Sequence, residues 1–313
     1  MRFLGGEATR ERLPFAALVA ALRAMFEEGC ELPPRQVLEL DPAGRDGVTS
    51  LVMPAWQRGG CHGVKVVNVA PGNAARGLAG LHSTSVLDDA TTGVPLAWLD
   101  GDEITARRTA ATSALAASWL ARADARHLAI VGAGRIARLL AEAHRVCRPI
   151  ERVTVWARSA VRAAAFVDEL AAQGFVARAA ATVEAAVGGA DIVSCATLAR
   201  EPIVRGEWLR AGSHLDLIGS FAPKMREADD DCFADAAVFV DSDDAATKSG
   251  DRIGPIARGI VEPGAIATLA DLARGRRRGR SSDGERTVFK SVGSALEDLA
   301  AAMLVDRGAQ VMQ

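Results

Sequence analysis

Two groups of residues in this 313-residue chain have the types and spacing to do chemistry. The first is Gly132-Ala133-Gly134-Arg135-Ile136-Ala137, a G-x-G-x-x-A run between the apolar stretch HLAIV and a helix-like stretch ending at Cys147. The first glycine permits a tight turn and the second lets backbone approach a pyrophosphate. The small third residue lets helix pack on strand, and the helix N-terminus faces negative charge. The pattern predicts a dinucleotide site. The second group is three cations, Arg35, Lys65 and Arg108. Lys65 sits among valines in GVKVVNV, where an ammonium loses hydration unless it meets an anion. An edge-strand lysine reaching back to water is the alternative. Arg108 lies in ITARRTAATSA beside small residues, with Arg107 adjacent, so one of the two must face elsewhere. Arg35 follows Pro33-Pro34. Three cations from three elements of one module suit a carboxylate-bearing substrate, with bidentate arginine contacts fixing its orientation.

The choice of dinucleotide turns on the next strand, VTVWA. An NAD site normally ends that strand in Asp or Glu, which binds the ribose 2′-hydroxyl. Here it ends in Arg158-Ser159, with Arg162 one turn on. A cation and a hydroxyl suit a 2′-phosphate, so NADP(H) is expected ahead of NAD(H). In a chain this rich in arginine, Arg162 also reads as a plain solvated side chain.

The elements that must position these residues are legible from hydrophobic period. Apolar residues from Thr9 to about Cys30 recur at helical spacing. From Gln36 to Leu99, short strand-like runs alternate with turns at PAGRDG, PGNAARG and DDATTG, which predicts an antiparallel sheet. Asp102 is expected to cap a long helix from Ile104. From His127 onward strands alternate with helices, which means βαβ units and a parallel sheet. A helix is expected at AIATLADLARG after Pro263, then a solvated basic loop at RRRGRSSDGER, then a final helix from Ser291 to about Asp306.

Composition removes other classes of function. Lys and Arg total 37 against 39 Asp and Glu, a net charge of −2, which gives no footprint for nucleic acid. No apolar run is long enough to span a membrane. The N-terminal residues lack an apolar signal core, which points to a cytoplasmic address. The five cysteines are scattered and form no C-x-x-C pair, and the five histidines are dispersed. Neither a disulfide framework nor a metal site is expected. There is no tyrosine, so no tyrosine can serve as general acid.

Several blocks together resemble the ornithine cyclodeaminase/mu-crystallin family. They are KVVNVAPGN (65–73), DATTGVPLAWLDG (89–101), ITARRTAA (104–111), the IVGAG core, GSFAPKMREAD (219–229) and FKSVGSALEDL (289–299). The resemblance implies an α/β protein: a central NAD(P)-binding Rossmann domain at 113–290, plus a mixed α+β substrate-binding and dimerisation domain from 1–112 and 291–313. By matching motif, Arg35, Lys65 and Arg108 hold the substrate carboxylate. Thr109, Gly132 to Ala137, Arg158, Ser159, Ala196, Thr197 and Ser291 line the cofactor. Leu81-His82-Ser83 matches a stretch that reaches the nicotinamide end, which makes His82 a candidate proton donor, with a structural histidine as the alternative.

One departure separates activities within the resemblance. Ornithine cyclodeaminases carry G-[GA]-D-x-P after the fifth strand, where the Asp manages the amine and water chemistry. This chain has Gly219-Ser220-Phe221-Ala222-Pro223, and Phe221 cannot accept a proton. Packing against the sheet is its other reading. The expectation is therefore a homodimeric NAD(P)H-dependent reductase of cyclic imino acids, Δ1-pyrroline-2-carboxylate or Δ1-piperideine-2-carboxylate. Ornithine cyclodeaminase, an amino-acid dehydrogenase and a non-catalytic binder of NADPH and a small acid are the alternatives.

Overall fold

The computed structural model describes residues 1–40 and 47–310. It divides into two compact units, Met1–Arg108 with Ser294–Gln313, and Thr109–Gly293.

The first unit opens with β1 (Arg2–Leu4), α1 (Gly6–Glu11) and α2 (Phe15–Glu28). The single helix expected here is two, because Pro14 lacks an N–H and its ring disfavours helix at Leu13. Pro14 instead serves as the N-cap residue of α2, whose Leu18, Leu22 and Met25 are buried. The meander follows as β2 (Gln36–Glu39), β3 (Thr49–Trp56), β4 (Cys61–Val69), β5 (Leu81–Asp89) and β6 (Pro95–Asp100). Of the expected PAGRDG turn, all but Gly47 lies outside the described residues. PGNAARG forms a short 3₁₀ helix, Pro71–Arg76. In DDATTG the Asp89 carboxylate accepts the Thr91 and Thr92 N–H groups. The sheet order is β1-β6-β5-β4-β3-β2. Neighbours are antiparallel except β1, which lies parallel to β6.

α3 (Gly101–Leu120) leaves this sheet. Its cap is Asp100 rather than Asp102: the Asp100 carboxylate accepts the Glu103 N–H at 2.8 Å, while Asp102 accepts the Ser83 hydroxyl at 2.7 Å.

The second unit runs β7 (His127–Val131), α4 (Ala137–Cys147), β8 (Arg152–Trp156), α5 (Ala160–Ala172), β9 (Val176–Ala179), α6 (Val183–Val187) and β10 (Ile192–Cys195). It continues through β11 (His214–Leu217), β12 (Ala236–Val240), α7 (Ala245–Lys248), α8 (Gly250–Ala257), β13 (Ala267–Thr268), α9 (Leu269–Ala273) and β14 (Arg286–Lys290). All eight strands are parallel, in the order β13-β12-β14-β11-β10-β7-β8-β9. β7 and β10 are buried along their whole length, as a sheet covered on both faces requires. The chain reverses its winding between these two strands, so the C-terminal ends of β7 and β10 form the crevice where this class of sheet takes ligands.

The basic stretch is only partly a solvated loop. Arg276, Arg277 and Arg278 are exposed, but Arg280 is anchored through Nε to the Leu120 carbonyl at 2.8 Å. The helix expected at AIATLADLARG starts late, because Ala267–Thr268 pair with β12 and Thr268 then caps α9 in a reciprocal box with Asp271. The final helix, α10, spans Ala295–Gln310 and belongs to the first unit. It packs on β4 so closely that a Cβ on Gly63 would lie 3.0 Å from a Leu299 methyl.

Candidate functional site

In the second unit, β7 ends at the glycine turn. Gly132 has φ +125°, and a Cβ there would stand 2.6 Å from the Ala196 carbonyl oxygen, so only glycine fits. Gly134 differs: a Cβ would meet nothing within 4 Å. It would project into open space ahead of α4, where the first N–H groups of a helix have no partner within it. That is the cradle a pyrophosphate needs.

The cavity beside this turn measures about 600 Å³ and is lined by Gly132, Ala133 and Gly134, by Arg158 and Ser159, and by Ala196 and Thr197. Arg162 and Arg200 also line it, with Glu201 the one acid in its wall. Arg158, Arg162 and Arg200 are all exposed, free to meet a phosphate. Ser159 caps α5 by accepting the Arg162 N–H at 3.4 Å. Arg135, Ile136 and Ala137 carry the turn into α4 and are not part of the lining. Thr109 and Ser291 are buried and likewise outside it.

Beneath the crevice lies a set of buried charges. Glu227 is fully buried, and one of its carboxylate oxygens accepts both the N–H and the hydroxyl of Thr197, each at 2.7 Å. The other accepts the Gly219 N–H at 2.6 Å. Burial pushes this carboxyl up to about 7, against the pull of Lys290. Asp216 is pushed up to about 6 by burial, although the Ser194 and Ser113 hydroxyls donate to it. Lys290 donates to the Leu217 carbonyl at 3.0 Å. Arg252 on α8 is fully buried, and among the described residues none of its three guanidinium nitrogens has a hydrogen-bond partner. Phe221 is 44% exposed, so it is not a core residue packed on the sheet.

In the first unit, Lys65 and Arg108 converge. Lys65 is on central strand β4 and 2% exposed, which rules out the edge-strand alternative. Its ammonium donates to the Asp298 carboxylate at 2.7 Å and to the Thr105 hydroxyl at 3.1 Å. Arg108 donates from Nε to the same Asp298 oxygen at 2.9 Å, and from its terminal nitrogen to Glu297 at 2.6 Å. Arg107 is the one that faces elsewhere, donating to the Leu13 carbonyl with its guanidinium 4.1 Å from the Phe15 ring centre. Burial pushes Lys65 down to about 8, with Asp298 opposing and Arg108 adding to the fall. Burial would raise Asp298, but Lys65 and Arg108 together outweigh it and hold the carboxyl below its usual range.

Arg35 is half-buried just before β2. Extending the β2–β3 register by one residue places it opposite Met53, which pairs with Lys65. His82 does not join this cluster. It is exposed and lies three positions along β5 from Ser85, the cross-strand partner of Lys65, and so on the opposite face of the sheet.

Glu297 and Asp298 are the partners of Lys65 and Arg108 that sequence reasoning missed. The signal was there: a lysine buried among valines demands a carboxylate, and SVGSALEDL sets two acids in an otherwise small and apolar run.

Comparison with known proteins gives a consistent picture. A sequence model of the ornithine cyclodeaminase/mu-crystallin family matches residues 8–311. The Δ1-pyrroline-2-carboxylate reductase of Paracoccus denitrificans is 42% identical over 305 residues, 96% of this chain and 95% of that protein. Among solved structures, the Δ1-pyrroline-2-carboxylate reductase of Thermococcus litoralis, in complex with NADH and L-proline, has a TM-score of 0.93. It is 32% identical, covering 100% of this chain and 98% of that one. An archaeal alanine dehydrogenase dimer with bound NAD has a TM-score of 0.91 at 28% identity, covering 100% and 97%.

Proposed function

The chain belongs to the ornithine cyclodeaminase/mu-crystallin family, and from that premise we propose that it reduces cyclic imino acids with NAD(P)H. The substrates are Δ1-pyrroline-2-carboxylate or Δ1-piperideine-2-carboxylate, and the products L-proline or L-pipecolate. The observation that carries the choice of reductase over deaminase is Phe221, an exposed hydrocarbon where a deaminase needs a carboxylate. The relatives that share nearly the full length of the chain support the same choice.

A reduced nicotinamide, when bound, would supply the hydride that C2 of the protonated imine accepts. The C=N π pair moves onto nitrogen, which cancels the iminium charge, and a proton from water completes the ammonium of the product. Lys65 and Arg108, with Arg35 beside them, hold the substrate carboxylate and so fix the face and position of C2. His82 has no part in this scheme, since it lies on the other face of its sheet. The Gly132–Gly134 turn, with the N-terminus of α4 behind it, would take the pyrophosphate. Arg158, Arg162 and Arg200 favour a 2′-phosphate, so NADPH is the proposed coenzyme. Arg158→Ala should raise KM for NADPH about tenfold more than KM for NADH; equal effects would remove the 2′-phosphate assignment.

Two further points go with this reading. The sheet face opposite Lys65 carries Val52, Val64, Val66, Val86 and Trp98, none of them buried, and such an apolar face supports a homodimer. The scattered cysteines, with no C-x-x-C pair, and the use of NADPH suit a cytoplasmic address.

The test is NADPH oxidation with each cyclic imine, alongside an ammonia assay on ornithine with NAD. Rapid NADPH consumption with no ammonia is expected. Ammonia release from ornithine would overturn the reading.

A further inference from the structure

Of the three cations assigned to the substrate carboxylate, the two buried ones are already paired within the protein. Lys65 and Arg108 face Glu297 and Asp298, two positive charges against two negative. The four-residue cluster itself has no net charge and, apart from the half-buried Arg35 beside it, is poorly suited to a simple carboxylate. It is well suited to a zwitterion.

One atom in the cluster is unsatisfied. Asp298 Oδ1 receives both Lys65 and Arg108, whereas Asp298 Oδ2 is buried and has no hydrogen-bond partner among the described residues. An ionised carboxylate oxygen without a donor is costly enough to need an explanation. The Lys65 ammonium uses two of its three protons, on Asp298 and Thr105, which leaves one for a ligand. A donor and a bare anionic acceptor therefore lie within one hydrogen-bonded cluster.

We propose that Asp298 is a specificity-determining residue whose free oxygen accepts the N–H of the substrate's iminium, and later of the product's amine, while Lys65 and Arg108 take the adjacent carboxylate. The inference rests on the proposed reductase function and deepens it. A protonated cyclic imino acid carries its N–H and its carboxylate on neighbouring atoms, so the ion-paired cluster matches the dipole of the ligand. Holding the nitrogen in its protonated form also keeps C2 electrophilic for the hydride. The same oxygen repels any ring that presents a lone pair instead of an N–H.

The test uses binding rather than turnover. Affinities of L-proline, tetrahydrofuran-2-carboxylate and cyclopentanecarboxylate are measured by calorimetry on the full chain with saturating NADP⁺, for wild type and Asp298→Asn. Wild type should bind L-proline at least tenfold tighter than either ring lacking an N–H. In Asp298→Asn, L-proline should weaken at least tenfold while cyclopentanecarboxylate holds or tightens, because the cluster has lost a negative charge. Equal weakening of all three ligands would reduce Asp298 to a support for Lys65 and Arg108 and overturn the proposal. Should the variant not fold, the wild-type series still decides, since equal affinity for L-proline and cyclopentanecarboxylate sinks the idea. A wild-type protein that binds none of the three and reduces no cyclic imine refutes the reductase reading instead.

Discussion

Replacing Glu227 with Gln should change stability in a way that depends on pH with a definite sign. The Glu227 carboxyl sits near 7 in the folded chain against a usual value of 4.5, with burial as the main cause. That difference is worth roughly 3 kcal/mol in favour of the protonated form. A carboxyl raised by folding makes the native state bind its proton more tightly than the unfolded state does. Its contribution is therefore most favourable below 4.5 and is lost progressively as pH rises to about 7. The Gln variant cannot titrate, so it escapes this loss. It has a different fault at every pH, because an amide NH₂ must face either the Gly219 N–H or the two Thr197 donors. That conflict costs about 1–3 kcal/mol. Wild type should thus be the more stable at pH 5, and its lead should shrink or reverse by pH 8, the total swing being roughly 3 kcal/mol. Urea denaturation of both proteins at pH 5, 6, 7 and 8 reads this directly. A gap that stays constant, or widens as pH rises, would refute the reasoning. Groups such as Asp298 and Asp230, whose carboxyls are held low, titrate alike in both proteins and cancel in the comparison.

Three other outcomes are expected. Gly132→Ala should abolish dinucleotide binding and cost at least about 1–3 kcal/mol, because φ +125° is strained for any side chain and the new methyl strikes the Ala196 carbonyl; unchanged affinity for NADP⁺ would contradict it. Lys65 loses its charge as pH rises through about 8, so affinity for L-proline should fall above that pH, while binding that stays flat to pH 9.5 would remove Lys65 from the carboxylate site. Arg252→Met should stabilise the chain by about 1–3 kcal/mol, since a buried guanidinium without hydrogen bonds is exchanged for an uncharged side chain that needs none; a lowered melting temperature would argue against this.

Much of the architecture was legible because period and chemistry agree. The β7 turn, the β3–β6 meander and the alternation of strand and helix after His127 each follow from local pattern. What local pattern missed was made by tertiary context. β14 reads RTVFK, with charges at both ends, yet it lies inside the sheet between β11 and β12. β1 is three residues long and exists only because β6 offers it an edge. The candidate site divides in the same way. The glycine turn could be read because one short segment contains its whole logic. The Lys65 cluster could be read only in half, because a buried cation announces the need for an anion without saying where in the chain it is. That His82 lies on the sheet face opposite Lys65 depends on register and not on neighbouring residues, so the sequence alone could not place it.

That separation in sequence has a consequence for how the protein is made. Lys65 and Asp298 are 233 residues apart, and Arg108 and Glu297 are 189 apart. The whole of the central unit emerges from the ribosome between them. At typical synthesis rates of about 5–20 residues per second, the first sheet waits roughly 10–40 s for the helix that covers β4 and neutralises its lysine. On that schedule the central unit should complete its fold while the first sheet still lacks α10. A nascent chain stalled before α10 should already bind dinucleotide, and it should present an uncovered sheet that chaperones can engage.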